Sequence, residues 1–541
     1  GRGNAENALL PYETDDRLHH GHGLLGPRTA LRVRRGDGPT RLWSPFAGPL
    51  LEPRATRKLY KSPLGDWIEF EEVHEALGLT FRQRWFTSPR YGFVRRCRLF
   101  CHHAPSEARV RVTLLDGLVN VLPAGVSLRA QQSLSNLVDA YKRSEVDERS
   151  GLALYTLEAQ LSDRAQAVES LRAQAIWHRG PSSDSQLTLS AEAFDTFYRN
   201  EPFQAQRCVL GARGAFLLHD TLTLGAGAEA SWQLVADVDL DHCAVETLRR
   251  ELGGDDLDAR LASDVARSHR DLEAIIATAD GQQCGADRRA VLHHAANTLF
   301  NAMRGGLFAD NGQIPVHDLR CFLARRNGRV VERHDGSLQA LAANSPGQPL
   351  ADILEFAERS GDVDLQRLTF EYLPLYFSRR HGDPSRPWNR FSIRLADDQG
   401  RRRLAYEGNW RDIFQNWEAL LTSFPSFHLS VIAKFVNAST ADGHNPYRIT
   451  DGGIDWEVPE PDEPWANIGY WGDHQIAYLL RLLESCQAHY PGALSKLLPQ
   501  RLFSYADVPY RIAPYTSLVR DPKSTIRYDE AAAATIARRC S

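Results

Sequence analysis

The hydrophobic period of the sequence changes once, near Gly253 and Gly254, and this change limits the folds open to the chain. Between residues 28 and about 240, apolar and polar residues alternate in short segments such as 79–86 and 93–100. This alternation predicts half-buried strands, and many strands without intervening helices predict an antiparallel sandwich. After Gly254 the apolar residues recur at i, i+3, i+4 and i+7, which predicts amphipathic helices.

Three segments follow from this pattern. We expect a β domain over residues 1–253, a helical linker over 254–286 and a helical domain over 287–541. Two of the predicted helices cover 350–358 and 365–377, the second disturbed by Pro374. Sequential helices with short connections predict antiparallel helical hairpins.

Composition excludes several classes of protein. A net charge of −4, from 64 basic and 68 acidic residues, does not predict a nucleic-acid-binding surface. No apolar run is long enough to span a bilayer and no signal segment opens the chain, so we expect a cytoplasmic protein without a membrane partner. Arginine makes up most of the basic residues, which is typical of a GC-rich bacterial genome. The eight cysteines are scattered and are interpreted as free thiols.

Two short motifs imitate ligand sites. The glycines of residues 21–26 have the spacing of a dinucleotide-binding loop, but polar residues precede them and Pro27 follows, where a strand and a helix are required. Cys97, Cys101 and the adjacent histidines suggest zinc, but they lie on an alternating segment, where positions four apart are about 13 Å from each other. We therefore expect no metal site and no organic cofactor.

Tryptophan and acidic residues concentrate in one part of the helical half. Six of the eleven tryptophans lie between residues 388 and 471, beside an acidic run over 451–463. Indole faces suit the C–H faces of sugar rings, and carboxylates accept hydrogen bonds from hydroxyls or protonate a glycosidic oxygen. This pattern predicts a carbohydrate site. The alternative is that the tryptophans, Trp417 among them, fill helix cores while the acids solvate a proline-rich loop.

The segment 406–416 (YEGNWRDIFQN) brings an Arg-Asp pair to the start of a predicted helix. The rigid guanidinium of Arg411 donates hydrogen bonds and the carboxylate of Asp412 accepts them, and this pairing suits vicinal hydroxyls. The alternative is that Asp412 is only a helix cap and Arg411 its surface partner.

This segment resembles the Tyr-Arg-Asp-Ser-x-Gln-Asp motif of the cellobiose phosphorylase family of inverting glycoside phosphorylases, in the six-hairpin glycosidase superfamily. Arg411, Asp412 and Gln415 match the motif. Three residues depart from it: Trp410, Ile413 and Asn416. In the family this motif holds the sugar in the glycosyl-donor subsite, so the resemblance assigns substrate binding to Arg411 and Asp412, with Gln415 and Trp410 beside them.

A second segment, residues 471–478 (WGDHQIAY), resembles the family's Ser-Asp-Asp-His-Leu-Trp-Leu motif, which opens an inner helix. Asp473 and His474 are retained, and with Trp471 they join the expected substrate-binding residues. The alternative role of Asp473 is that of a helix cap.

The family has an N-terminal antiparallel β-supersandwich, a helical linker and an α/α toroid, and the resemblance implies that fold here. The predicted helices are too few for a complete toroid, and the family's Asp-Trp-Asn-Asp motif, which carries the general acid, does not follow Asp473. We therefore expect a piece of a longer polypeptide, with a toroid incomplete at its C-terminus and the general acid beyond Ser541. The in-chain candidates for that acid are Asp455, Glu457 and Asp473.

The resemblance implies inverting phosphorolysis of a β-linked disaccharide or oligosaccharide to a sugar 1-phosphate, with inorganic phosphate as co-substrate. One acid protonates the leaving oxygen while phosphate attacks from the opposite face. Two alternatives stay open: an inverting glycoside hydrolase, whose base comes from the acidic loop at 455–463, and a carbohydrate-binding protein without catalysis. The family also implies a homodimer.

Overall fold

A computed structural model describes residues 7–11, 23–47, 55–102, 109–161, 168–345, 347–376, 402–456, 476–522 and 525–540. The chain divides into two compact units, residues 1–272 and residues 273–541. Strands dominate the first unit and helices dominate the second, so the predicted order of a β region followed by an α region is confirmed. The toroidal arrangement and the finer boundaries at 253 and 286 stay predictions.

The strands described in the first unit form two antiparallel sheets. The larger sheet has the order β12-β8-β9-β10-β14-β6-β5-β4-β3 and the smaller has the order β11-β13-β7-β1-β2. Their bounds are β1 Gly26–Arg35, β2 Arg41–Trp43, β3 Ala55–Lys61, β4 Trp67–His74, β5 Leu79–Ser88, β6 Gly92–Cys101, β7 Val110–Val121, β8 Lys142–Val146, β9 Ala153–Leu157, β10 Ala173–Arg179, β11 Gln186–Thr188, β12 Cys208–Leu210, β13 Gly214–Leu224 and β14 Glu229–Leu240.

The core of the first unit lies between its two sheets. Leu114 and Leu218 of the smaller sheet pack in one cluster with Phe81, Leu99 and Leu234 of the larger sheet. Every second residue of these strands points inward, which is the physical basis of the alternation seen in the sequence.

A buried ion pair joins the two sheets. Both Nη atoms of Arg95, on β6, donate to the carboxylate of Asp116, on β7, at 2.8 Å. Thr29 Oγ1 and Trp232 Nε1 also donate to that carboxylate, each at 2.6 Å. Asp116 is fully buried, and these four hydrogen bonds, with a fifth from Cys97 Sγ at 3.8 Å, compensate the loss of hydration.

Five helices accompany the described strands of the first unit: α1 Leu128–Ser133, α2 Ser135–Ala140, α3 Ala193–Arg199, α4 His242–Leu252 and α5 Leu257–Ala277. Asp241 caps α4, since its carboxylate accepts a hydrogen bond from Ala244 N. Helix α5 starts in the first unit and its last residues belong to the second.

The described helices of the second unit are α6 Arg288–Gly305, α7 Val316–Arg326, α8 Gly328–Asn344, α9 Leu350–Arg359, α10 Val363–Glu371, α11 Trp410–Ser423, α12 His428–Asn437, α13 Ile476–His489, α14 Ala493–Leu497, α15 Tyr515–Arg520 and α16 Glu530–Cys540. Short strands lie between them: β15 Leu307–Phe308, β16 Ile314–Pro315, β17 Gly347–Gln348, β18 Leu375–Tyr376, β19 Glu407–Asn409, β20 Arg448–Thr450, β21 Ile454–Asp455, β22 Tyr510–Ile512 and β23 Ile526–Tyr528. Apolar faces of α7, α8, α9 and α10 share one core.

Helices α6 and α11 approach each other closely at Gly305. A Cβ atom at residue 305 would lie 2.9 Å from Asn416 Cβ and 3.2 Å from Trp417 Cδ1, so the contact requires glycine. The buried indole of Trp417 donates to the Gly305 carbonyl at 2.7 Å. That carbonyl lies at the end of α6, where intrahelical partners are lacking. Trp417 is thus a core residue, as the alternative interpretation of the tryptophan cluster predicts for it.

The described residues contain neither a membrane-spanning helix nor a metal-binding cluster. None of their helices has both the length and the apolar character needed to cross a membrane. In the same part of the chain, no group of three or more His, Cys, Asp or Glu side chains is placed to hold a metal ion.

Candidate functional site

The predicted Arg-Asp pair lies in the first turn of α11. Asn409 occupies the N-cap position, so Asp412 is an acidic residue of the first turn rather than the cap itself. Arg411 Nε lies 3.6 Å from Asp412 Oδ1, and both side chains are partly exposed. Gln415 is exposed one turn later, on the same side of the helix as Arg411. The helix therefore presents a donor, an acceptor and an amide to solvent together.

Trp410 points the other way. Its side chain is fully buried, with its ring centroid 4.6 Å from that of Phe414 and 5.2 Å from that of Phe435. The indole Nε1 is buried and has no hydrogen-bond partner among the described residues. The ring anchors the start of α11 in the core, and the predicted contact of Trp410 with substrate stays a prediction.

A three-stranded sheet, β19-β20-β21, supports the start of α11. Trp410 N donates to Tyr447 O at 2.9 Å. Arg448, on the central strand, donates from Nε to Asp455 Oδ2 at 2.7 Å and from Nη1 to Glu407 Oε1 at 3.2 Å. The carboxylate of Asp455, an in-chain candidate for the general acid, is thus engaged in an ion pair.

Of the six clustered tryptophans, Trp410, Trp417 and Trp456 are described. Trp456 is partly exposed and stacks on Tyr510, with ring centroids 5.9 Å apart and planes 12° apart. An indole held flat beside Asp455 suits one face of a sugar ring. Four residues assigned to the site or the acid from the sequence lie outside the described residues: Glu457, Trp471, Asp473 and His474.

A narrow cleft in the second unit contains Asp318 and Arg325, which the sequence did not single out, together with Asp451 of the acidic run. Its lining residues are Asp318, Phe322, Arg325, Tyr372, Leu373, Leu375, Leu404, Tyr406 and Asp451. Tyr372 Oη donates to Asp318 Oδ2 at 2.6 Å. Arg325 Nη1 donates to Asp451 Oδ2 at 3.3 Å. The cleft thus holds two carboxyl groups, one bound to a phenol and the other to a guanidinium.

Burial raises the pKa of Asp318. The hydrogen bond from Tyr372 and the charge of Arg325 oppose this shift, while the negative charge of Asp451 adds to it. The net result is a carboxyl group that keeps its proton to a higher pH than an exposed aspartate does. Two carboxyl groups in one cleft, one of them favoured in its protonated form, are typical of acid–base sites.

The cleft is small. Its free volume is about 10 Å³, which is room for a single water molecule. A sugar ring enters only if side chains at the mouth move, and the exposed side chain of Arg325 is one that has room to do so.

A buried lysine lies behind the cleft. Lys434 Nζ is 5.3 Å from the ring centroid of Phe322 and 5.7 Å from that of Tyr406, and both rings line the cleft. Burial lowers the pKa of Lys434 to about 7; the charge of Arg326 adds to this effect and that of Glu371 opposes it. The amine therefore changes charge near neutral pH.

The cleft and the Arg-Asp pair are connected by a short stretch of backbone. Tyr406 lines the cleft, and its carbonyl accepts a hydrogen bond from Asp451 N at 3.0 Å. Strand β19 then leads from Tyr406 to the start of α11, over about 10 Å for three extended residues. The predicted sugar-binding pair and the cleft carboxyls thus stand at opposite ends of one strand.

Comparison with known proteins links one segment to glycoside-active enzymes. Residues 308–374 match a family model described as glycoside hydrolase family 149 insertion domain 1. This segment contributes Asp318, Phe322, Arg325, Tyr372 and Leu373 to the cleft. The relationship to glycoside-processing proteins predicted from the sequence is confirmed at this level. A search of curated proteins finds no significant match.

Similar solved structures include a bacterial glucoamylase complexed with acarbose, with 10% identity, a TM-score of 0.31, and coverage of 87% of this chain and 71% of that one. A protein from the human microbiome, provisionally named a kojibiose phosphorylase, has 7% identity and a TM-score of 0.27; coverage is 84% of this chain and 45% of that one. A family GH92 alpha-mannosidase from Bacteroides thetaiotaomicron has 10% identity and a TM-score of 0.27, with 80% and 60% coverage. The chain spans less than two thirds of the latter two.

Proposed function

We propose that this chain belongs to a glycoside-processing enzyme that cleaves a β-linked glycoside by inverting phosphorolysis and releases a sugar 1-phosphate. The observation that carries the proposal is the pair of sites on either side of β19: the exposed Arg411–Asp412 pair at one end and the Asp318 cleft at the other. The family match of residues 308–374, which build much of that cleft, supports the same class of chemistry.

Arg411 and Asp412 are assigned to the sugar in the donor subsite. A guanidinium donates to hydroxyl oxygens and an adjacent carboxylate accepts from hydroxyl protons, so one pair satisfies two neighbouring hydroxyls. The partial exposure of both side chains supports this role. Gln415 and the partly exposed Trp456 supply a further amide and an indole face.

Asp318 is the described carboxyl best suited to donate a proton. Its raised pKa keeps it protonated further toward neutral pH. Asp455 is instead engaged by Arg448, which favours an accepting role. The sequence-based expectation that the general acid lies beyond Ser541 stays a prediction, and Asp318 is the in-chain alternative to it.

Hydrolysis is the second candidate, because the cleft also contains Asp451. An inverting hydrolase needs a base carboxylate to activate water in addition to the acid, whereas a phosphorylase needs only the acid and a phosphate. The ion pair between Asp451 and Arg325 favours phosphorolysis, since it engages the carboxylate that would act as base.

The two reactions differ in their requirement for phosphate. Full-length chain incubated with β-linked disaccharides and oligosaccharides is expected to release a sugar 1-phosphate only when inorganic phosphate is added. Reducing sugar formed without phosphate, with no sugar 1-phosphate, would replace phosphorolysis by hydrolysis. Sugar binding without turnover would support the binding-protein alternative.

The assignment of Asp318 has its own test. Asp318→Asn is expected to lower turnover about 10²–10⁴-fold while sugar binding is retained. Asp352→Asn, an exposed position in the same matched segment, is the control. Full turnover in Asp318→Asn would show that another residue is the general acid.

A further inference from the structure

A second cavity lies within the first unit. Its volume is about 280 Å³, and it is lined by Arg90, Tyr91, Arg260, Ser263, Asp264 and Arg267. The first two residues belong to the turn between β5 and β6, and the other four to α5. Its size is close to the lower end of the range for small-molecule pockets.

The buried carboxylate of Asp264 fixes the wall of this cavity. It accepts hydrogen bonds from Ser88 Oγ and, at 3.0 Å, from Arg90 N, so the turn is tied to the helix. The same carboxylate forms an ion pair with Arg267. The cavity is therefore bounded by the turn between β5 and β6 and by α5, which the carboxylate of Asp264 holds together.

The other two arginines are held from outside the cavity lining. Arg90 forms an ion pair with Glu251, and Arg260 Nη2 lies 3.0 Å from Asp256 Oδ1. Neither carboxylate belongs to the lining residues. The lining thus carries three guanidinium groups and a single carboxylate, and its hydrogen-bond donors greatly outnumber its acceptors.

Two donors in the lining lack a hydrogen bond of normal geometry. Tyr91 is 2% exposed, and its Oη makes no such bond, although the carboxylate of Glu251 lies near enough to raise its pKa. Arg260 Nε is also buried without such a bond. Buried donors without partners are costly, and a ligand that supplies acceptors removes that cost. Burial and then the charge of Glu251 raise the pKa of Tyr91, so its hydroxyl keeps its proton at neutral pH.

We propose that this cavity binds a small oxyanion of the phosphate monoester class, whose oxygens accept from the guanidinium groups and from Tyr91 Oη. The planar fork of a guanidinium matches two oxygens of a phosphate group, and hydrogen bonds of this kind are charge-assisted. A neutral sugar suits the lining less well, because sugar hydroxyls also donate, and the lining offers few acceptors beside Asp264 and Ser263. Because every lining residue belongs to the first unit, the proposal is independent of the glycoside site.

The test is calorimetric titration of the full chain with inorganic phosphate and with a hexose 1-phosphate, at constant ionic strength. Tyr91→Phe removes only one hydroxyl that makes no hydrogen bond of normal geometry, so the fold is expected to be retained while affinity for the monoester falls about tenfold. Arg260→Ala is expected to weaken binding at least as much. The matched controls are Tyr198→Phe and Arg250→Ala, which lie outside the lining.

The outcomes separate this site from the glycoside site. The monoester is expected to bind more tightly than inorganic phosphate, because a cavity of about 280 Å³ has room for more than a phosphate group, and equal affinities would overturn the monoester assignment. Arg411→Ala is expected to leave the component that depends on Tyr91 unchanged. Unaltered monoester affinity in both Tyr91→Phe and Arg260→Ala, with folding verified by circular dichroism, would overturn the site.

Discussion

Tyr372 Oη donates a 2.6 Å hydrogen bond to Asp318 Oδ2, across 54 positions of sequence. This bond lowers the pKa of Asp318, whereas burial raises it. Tyr372 therefore acts as a positioning residue that sets the pH range in which Asp318 carries a proton.

Removal of that hydroxyl is expected to move the pH profile. In Tyr372→Phe the pKa of Asp318 rises further, and a group that acts as an acid is active below its pKa. The basic limb of the kcat/KM profile therefore shifts to higher pH, as measured by phosphorolysis rates across a pH series. Tyr505→Phe, an exposed tyrosine, is the control. A shift toward lower pH would contradict the proposed role of Asp318.

Arg411→Ala is expected to weaken binding of the donor sugar without unfolding the chain. Hydrogen bonds from a charged group contribute about 1.5–3 kcal/mol each, so the dissociation constant for sugar should rise about tenfold to a hundredfold. The free energy of unfolding should change by about 0.5 kcal/mol or less, as for other partly exposed positions. Arg520→Ala, on the exposed side of α15, is the control. Unchanged sugar affinity would remove the central assignment.

The ion pair between the sheets predicts a large effect on stability. Arg95→Ala leaves the buried carboxylate of Asp116 with the neutral donors Thr29, Trp232 and Cys97 and no opposite charge, and should lower the free energy of unfolding by about 3–5 kcal/mol. Urea denaturation measures the loss. The double variant Arg95→Met with Asp116→Leu removes both charges and should lose less than Arg95→Ala. A larger loss in the double variant would show that the pair itself is strongly stabilising.

Lys434 predicts a dependence of stability on pH. Its pKa is about 7 in the fold and 10.5 in an unfolded chain, so between these values the unfolded state binds one more proton. The free energy of unfolding therefore rises with pH over this range, by about 1.4 kcal/mol per pH unit. The difference between the wild type and Lys434→Met isolates the effect, because other groups cancel. A difference that stays constant from pH 7 to pH 10 would contradict the lowered pKa.

Local features of this fold could be read from the sequence. The alternation over residues 79–86 and 93–100 corresponds to β5 and β6, and the periodic segment 350–358 corresponds to α9. The prediction of a helix over 365–377 was wrong at the C-terminal end, because α10 stops at Glu371, ahead of Pro374. Proline restricts the residue before it to extended conformations, so the helix closes early.

The candidate site was predictable only where its residues are contiguous. Arg411 and Asp412 are neighbours in one motif, so the sequence alone places them side by side, while their role in sugar binding stays a prediction. The pKa of Asp318 depends on its burial and on Tyr372 and Asp451, and tertiary packing alone brings these residues together. Lys434 lies on an apolar helix face, which predicts burial but gives no indication of the rings beside its amine.

The contact between Gly305 and Trp417 sets a rule for sequence variation. Glycine at residue 305 leaves room for the indole of Trp417, and that indole donates a hydrogen bond to the Gly305 carbonyl. A Cβ atom at residue 305 would meet Asn416 Cβ as well as the indole, so a smaller side chain at Trp417 alone does not make room for it. A relative with any larger residue at the position of Gly305 should therefore hold α6 and α11 further apart at this point. The Arg-Asp pair lies in the first turn of the same helix, so a substitution at Gly305 would also mark relatives in which the start of α11 has moved.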